Sequence, residues 1–434
     1  MFDKFLYGVA ASAFQIEGDD GTQGRGKSIW DTFSEIPGIT YKGQNATVAA
    51  DHYNRWEEDL DLMKDLGVNC YRFSVGWPRI FPDGTGKINQ KGVDFYSRLI
   101  DGLLKRDILP ILTFYHWDMP VTLHEKGGMQ NPDFSDWFGE YAEFLVKKYG
   151  DRVKDYITFN EPIPAVDACY RTGYFAPGLK LKDEEVLKCV HHMLLAHGKA
   201  TRAIAENVKD FTAGVAIATF EEYPSVLTEK CINAAKEHFF TGRDAVTETV
   251  GIYTDPIYAG VYPERVYREF PRFRDYVKDG DLKLISENSN VVFYNNYGGK
   301  PYDENGNLDE AKLSKNISDL GTYVDPNGIY WGAKFFYERY KKPVVISENG
   351  MACNDGVHDA RRVQYFKDHL AMVEKLQKEI DLKGYLVWSL LDNFEWREGY
   401  SQRFGLVDID FDTLKRTPKD SFNFYKEYIK THKN

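Results

Sequence analysis

The 434-residue chain has no apolar run long enough to be read as a membrane helix. Its start, Met1-Phe2-Asp3-Lys4-Phe5-Leu6-Tyr7-Gly8, lacks the basic leader and apolar core of a secretory signal. Ala10-Ala11-Ser12-Ala13 matches a cleavage site only if that missing core is ignored, so no signal peptide is expected. Cysteine is scarce. Cys70, Cys169, Cys189, Cys231 and Cys353 are odd in number and show no paired spacing, which argues against a disulfide framework and predicts reduced thiols in the cytoplasm. In that setting the glycosylation triplets Asn45-Ala46-Thr47 and Asn316-Ile317-Ser318 are expected to be idle. Positive charge is in deficit: 55 Lys and Arg against 66 Asp and Glu leave a net charge of -11. Neither nucleic acid nor an anionic membrane surface is an expected partner. Linkers, low-complexity tracts and short repeats are also missing, so residues 1–434 are read as one domain.

Aromatics, by contrast, are abundant: 29 Tyr, 28 Phe and 8 Trp. They suffice both for a large core and for flat surfaces against which the C–H faces of a sugar can stack. The backbone signal is an alternation. Phe5 to Ala10 reads as a first strand. Tyr53, Trp56, Leu60, Met63 and Leu66 recur at helical spacing over 51–66, ended by Gly67. Strands follow at 69–75 and 108–115, with helices over 89–105 and 134–149 after them. A strand ending at Glu161, a helix over 184–207, and strands at 214–219, 290–295, 344–348 and 385–390 complete the series. All eight strands are non-alternating apolar runs, as expected when helices cover a parallel sheet. Eight such units predict an α/β fold, a single-domain (β/α)8 TIM barrel. The stretch 297–328, rich in Asn, Asp and Gly, is expected to be a long loop on the active-site rim.

Two of these strands deliver a glutamate at the carboxyl end. Val344-Val345-Ile346-Ser347-Glu348 stops at Asn349-Gly350, and Tyr156-Ile157-Thr158-Phe159-Asn160-Glu161 is closed by Pro162. Active sites of such barrels lie on that rim. Two carboxyls there are the minimum equipment for splitting a glycosidic bond, one as acid and one to stabilise the sugar cation. Arg72, at the rim end of its strand, can hold one of them ionised. Strand ends further offer Gln15, His116, Asn160, Asn295, Tyr297 and Glu395 for sugar hydroxyls, and Trp117, Trp388 and Trp396 as apolar faces.

Two other patterns invite different chemistry. Gly21-Thr22-Gln23-Gly24-Arg25-Gly26-Lys27-Ser28 has phosphate-loop spacing, but no strand runs directly into its first glycine, so nucleotide binding is not expected. His191, His192 and His197 share a helix, yet their spacing fits no zinc site, and no metal or cofactor is expected.

Together the motifs resemble glycoside hydrolase family 1, the β-glucosidase family. The resemblance rests on Thr158-Phe159-Asn160-Glu161-Pro162, Ile346-Ser347-Glu348-Asn349-Gly350 and Ala11-Ser12-Ala13-Phe14-Gln15-Ile16-Glu17-Gly18. It extends to Tyr71-Arg72-Phe73-Ser74, Trp77-Pro78-Arg79-Ile80, His116-Trp117-Asp118, Asp359-Ala360-Arg361-Arg362, the run from Trp388 to Trp396, and Arg403-Phe404-Gly405-Leu406. It implies a (β/α)8 barrel hydrolysing terminal β-D-glucosides, or galactosides and fucosides, with retention and without a cofactor. In it Glu161 matches the acid/base and Glu348 the nucleophile. Gln15, His116, Asn160, Glu395 and Trp396 match sugar contacts, Asn295 the hydroxyl-binding Asn, Tyr297 the Tyr beside the nucleophile, Trp388 the platform under the sugar, and Phe404 a further substrate contact. The implied partner is a small β-glycoside or short oligosaccharide. Because Glu161 is not Gln, the plant thioglucosidase variant is disfavoured. Ile163 replaces an aromatic common in the family, which predicts an aliphatic wall beside the leaving group, and Asn296 replaces a second Tyr. A 6-phospho-β-glycosidase and a non-catalytic carbohydrate-binding barrel are the alternatives.

Overall fold

The computed structural model describes residue 2 and residues 4–432. Met1 and Asp3, part of the leader reading, and the last two residues lie outside the described residues. Eight strands form a closed parallel barrel in chain order: β1 (Leu6–Ala10), β2 (Cys70–Ser74), β3 (Leu109–Tyr115), β4 (Asp155–Asn160), β5 (Thr212–Ala218), β6 (Val292–Asn296), β7 (Val344–Asn349) and β8 (Leu382–Trp388). β8 closes on β1 from Leu6↔Gly384 to Ala10↔Trp388. Helices return the chain between strands, among them His52–Leu66, Gln90–Leu104, Phe134–Tyr149, Asp183–Asn207, Asn327–Tyr340 and Ala360–Leu376.

The strands read as unbroken apolar runs because both of their faces are covered. One face of each meets the helices. The other supplies one residue per strand, Leu6, Cys70, Ile111, Ile157, Ala216, Phe293, Val345 and Leu386, to a compact interior plug. Gly8 is needed at the tightest point, since a Cβ there would lie 2.4 Å from Cys70 Sγ and 2.8 Å from Leu386 Cγ.

Strand side chains repeat with period two, so two residues beyond the plug the same face carries Arg72, Thr113, Asn295, Ser347 and Trp388. That layer is mostly polar, and it is the floor of the rim. Both acid-bearing strands carry one extra residue just below their glutamate. On β4, Ile157 pairs with Gly214 and Asn160 with Ala216. On β7, Ile346 pairs with Tyr294 and Glu348 with Asn295, with Ser347 left over. Such a bulge re-aims the side chains that follow it, so Ser347 and Glu348 both reach the barrel axis.

Some expectations change in detail. β8 begins at Leu382 rather than Tyr385, because Leu382 pairs with Val344 and Gly384 with Leu6 despite the Lys-Gly interruption. β5 likewise starts at Thr212. The polar stretch 297–328 is not all loop: Lys300–Tyr302 pairs in parallel with Glu222–Pro224, outside the barrel. An antiparallel hairpin, Val407–Asp410 with Lys415–Pro418, was not legible in the sequence either. Among the described residues no helix is long and apolar enough to cross a membrane.

The two distracting motifs resolve into ordinary structure. Ser28 caps the helix Ile29–Ser34 in a reciprocal box with Asp31, and Lys27 pairs with Glu35 at the surface. The three histidines point to different partners: His191 to Tyr262 and Asp281, His192 to the Met129 carbonyl and Tyr276, His197 to Thr158 and Ser289. Among the described residues no group of His, Cys, Asp and Glu could hold a metal ion.

Candidate active site

At the carboxyl end of the barrel a cavity of about 470 Å³ is lined by His116, Trp117, Asn160, Glu161, Tyr297, Glu348, Trp388, Glu395, Trp396 and Phe404. Ten of the thirteen residues singled out from the sequence therefore share one cavity. Arg72, Gln15 and Asn295 are buried directly behind its wall.

Glu348 is 2 % exposed and sits among donors. Arg72 donates through Nη1 to Oε1, and the Tyr297 hydroxyl donates to Oε2. Arg72 is itself aimed by the polar floor, through Thr113 Oγ1 at 3.1 Å and Asn160 Oδ1. Burial pushes the Glu348 carboxyl up, opposed by Arg72, Tyr297 and Asn295, which favour the anion.

Glu161 has one amide donor and no guanidinium. Its Oε1 accepts from Asn295 Nδ2 at 2.8 Å. Burial first, and the negative charge of Glu348 second, push it up to about 8. Both carboxyls are raised by burial, but they differ in partners: a guanidinium and a phenol oppose that rise at Glu348, and at Glu161 the hydrogen-bond donor is a single amide. Asn295 donates to Glu161, and its Oδ1 accepts from Ser347 Oγ, the neighbour of Glu348, at 2.7 Å.

Asn160 fixes the imidazole next to it. Its Oδ1 accepts from Arg72 and from Asn295 Nδ2, so its Nδ2 donates to His116 Nε2 at 3.0 Å. That leaves the proton on His116 Nδ1, which is buried in the cavity wall without a protein partner. Burial, and then Arg72, hold the ring neutral, far below the ordinary histidine range. His116 stacks within 6.0 Å of both Trp388 and Trp396. Gln15 grips Glu395 from behind, its Nε2 reaching the Phe394 carbonyl at 2.9 Å and Glu395 Oε2 at 3.4 Å. Glu395 is pushed up to about 8 by burial and by the charges of Glu348 and Glu161.

Glu161, Trp117 and Trp396 have left-handed backbones, φ +48, +74 and +51, in a region that side-chain-bearing residues avoid. Strain of this kind persists where surrounding packing over-determines it, and it gathers at functional sites.

These features, two dissimilar buried carboxyls, neutral donors and flat tryptophan faces, suit hydrolysis of a sugar acetal. A family model, Glycosyl hydrolase family 1, matches residues 1–434. The chain belongs to that family. Among curated relatives, a 1,4-beta-D-glucan glucohydrolase from Thermotoga neapolitana is 42% identical, covering 99% of this chain and 98% of that protein. A beta-glucosidase from an Agrobacterium species is 38% identical over 97% of this chain and 93% of its own length. Among solved structures, a beta-glucosidase from Thermotoga maritima in complex with glucoimidazole superposes with a TM-score of 0.88 at 41% identity, covering 99% and 98% of the two chains.

As a family 1 member the protein is a retaining glycoside hydrolase, and the cavity adds residues that the sequence reading passed over. Pro164, Phe175, Thr219, Phe220, Glu221, Lys300 and the turn Leu320–Tyr323 complete the lining. Ile163 does not: it is buried, and Pro164 takes the lining position. The residue lining the cavity there, Pro164, is still aliphatic, and Phe175 and Phe220 add aromatic faces to the lining from other loops. Asn296 faces away, donating to the Tyr294 hydroxyl and the Gly298 carbonyl. Glu221 had a usable cue, since it follows a buried strand as Glu161 does.

The acid must be protonated and the nucleophile ionised for attack. With Glu161 pushed up to about 8, kcat/KM should fall as pH rises through that value. It should also fall on the acid side at a pH above the ordinary glutamate range, because Glu348 is raised as well. A pH profile of kcat/KM on an aryl β-glucoside checks both limbs. A basic limb at pH 5 to 6 would mean that Glu161 is not held as described.

Proposed function

We propose that this hydrolase cleaves terminal β-D-glucosides, Glu348 attacking the anomeric carbon and Glu161 serving first as acid and then as base. The single observation that carries this reading is the contrast between the two carboxyls: Glu348 faces Arg72 and the Tyr297 hydroxyl, Glu161 only the Asn295 amide. In the first step Glu348 forms a bond to C1 as Glu161 gives its proton to the departing oxygen. In the second, Glu161 takes a proton from water, which attacks C1 and releases Glu348. Trp388 offers the platform under the ring, and the free Nδ1–H of His116 with Asn160, Glu395 and Trp396 offers hydrogen bonds to the hydroxyls. Gln15 and Asn295, already committed to protein partners, support this role by orienting Glu395 and Glu161.

Such a substrate is a small β-glucoside or short oligosaccharide, a reading in keeping with a beta-glucosidase relative solved in complex with glucoimidazole. A cytoplasmic setting is supported by five cysteines that are all buried and form no disulfide among the described residues.

The 6-phospho-glycosidase alternative is disfavoured by charge. Glu395 stands where a phosphate would need a cation. The nearby Arg397 is spent on the Ile39 and Tyr174 carbonyls. The test compares nitrophenyl β-glucoside with its 6-phosphate, in wild type and in Glu395→Ser. Wild type should prefer the neutral sugar by at least about thirtyfold, the equivalent of ~2 kcal/mol for burying a phosphate beside Glu395 with no cation to pair it. Glu395→Ser should lose most activity on the neutral sugar. Equal turnover of the phosphorylated substrate by wild type would overturn the reading.

A further inference from the structure

Directly after β5, two consecutive glutamates part company. Glu222 turns outward to Arg243 and His238 and is almost fully buried against them. Glu221 turns inward and lines the catalytic cavity. Its carboxylate does not project freely into that space: Oε1 accepts the backbone N–H of Tyr297 at 2.9 Å. Its own carbonyl accepts the N–H of Lys300 at 2.8 Å, and the following residues pair with Lys300–Tyr302 as strand. The segment after β5 therefore holds the segment after β6 on either side of Gly298. That glycine is required: a Cβ there would come within 2.7 Å of Glu221 Oε2 and 2.4 Å of the Tyr323 carbonyl. Glu221 adopts φ +69, a fourth left-handed residue of the cavity wall, steadied by Thr219 Oγ1 accepting from its N–H at 3.2 Å.

The held residue, Tyr297, is the one whose hydroxyl donates to Glu348 Oε2. We propose that Glu221 is a positioning residue for the nucleophile: its carboxylate clamps the Tyr297 backbone so that the phenol is delivered to Glu348. The inference rests on the assignment of Glu348 above. A phenol bonded to the nucleophile must hold the anion in line before attack and then give way as that carboxylate's charge goes into the new bond to C1, and a loop free to swing does neither. Glu221 hydrogen-bonds to backbone and reaches Glu348 through Tyr297, while its charge also adds to the rise of Glu161. Burial pushes Glu221 up to about 7, against the Tyr297 N–H and the charge of Lys300, which favour its anion, and with Glu222, which opposes it.

The experiment is a double-mutant cycle on dinitrophenyl β-glucoside with wild type, Glu221→Gly, Tyr297→Phe and the double variant, alongside Glu221→Gln. Glycine suits the left-handed backbone, so Glu221→Gly removes the clamp without adding strain. Glutamine keeps an acceptor oxygen at the same reach. Glu221→Gly and Tyr297→Phe should each lower kcat/KM about thirtyfold, as expected for losing a hydrogen bond to a charged group. The double variant should fall no more than about threefold below Tyr297→Phe, since both remove the same contact. Glu221→Gln should stay within about threefold of wild type, because the N–H keeps its acceptor. The wild-type rate in the same assay reports on the glucosidase reading, and the pattern among the variants reports on the clamp. Additive losses in the double variant, an unaffected Tyr297→Phe enzyme, or a Glu221→Gln enzyme as slow as Glu221→Gly would each overturn the proposal.

Discussion

Glu348→Gly should lower the rate of glucoside hydrolysis by about 10⁴-fold or more, the scale of losing the nucleophile from a covalent mechanism. The substitution removes the atom that bonds to C1 but leaves Glu161, the tryptophan faces and His116 in place. It also opens a gap beside Arg72, whose guanidinium has lost its anion. A small anion such as azide or formate fits that gap. Azide should restore a substantial part of the rate on activated aryl glucosides, attacking C1 from the face Glu348 used and yielding the α-glucosyl azide. A β-configured product, or no rescue by any small anion, would remove Glu348 from that role.

Glu161→Ala should show a loss that depends on the leaving group. Dinitrophenolate departs without a proton, so glycosylation with that substrate should stay within about tenfold of wild type. Alkyl glucosides and cellobiose, which need the proton, should fall about 10³-fold, within the usual range for a positioned acid. Because Glu161 also activates the water, turnover of the dinitrophenyl substrate should stall at the second step after an initial burst. Azide needs no base, so it should relieve that stall and give the β-glucosyl azide. Comparing steady-state and burst kinetics across the leaving-group series separates the two roles. A uniform loss across all leaving groups would contradict an acid role.

The two products are mirror tests of one geometry. Azide replacing Glu348 inverts the anomeric centre. Azide replacing water on the Glu161 side inverts it a second time and restores the β configuration. Only two carboxyls on opposite faces of the sugar yield both outcomes.

The barrel was readable because each strand is covered on both sides and so carries an unbroken apolar run that ends at a charged or turn residue. Glu161 and Glu348 are legible by that ending alone, and Arg72 by its place at the rim end of its strand. What stayed hidden depends on backbone detail with no local signature. The extra residues in β4 and β7 leave no mark in composition, yet they aim Asn160 and Glu348. The left-handed backbones of Trp117, Glu161, Glu221 and Trp396 fall on residue types that give no hint of it. Ile163 was assigned a wall position from its place after the acid, but the chain turns it into the core and presents Pro164. Gln15 and Asn295 were read as sugar contacts. Their hydrogen-bond capacity is instead largely spent on Glu395, Glu161 and their neighbours, which only the folded network reveals.

The central claim is that Glu348 forms the covalent bond to the sugar. The most direct measurement uses a 2-deoxy-2-fluoro-β-glucoside with a good leaving group. The fluorine destabilises both oxocarbenium-like transition states, and the activated leaving group lets only the first proceed, so the glycosyl-enzyme accumulates. Mass spectrometry of the intact protein should show one added fluoroglucosyl unit. Peptide sequencing should place it on Glu348, and the label should be absent from Glu348→Gly. A label on Glu161 or Glu395, or none while the substrate is consumed, would contradict the account.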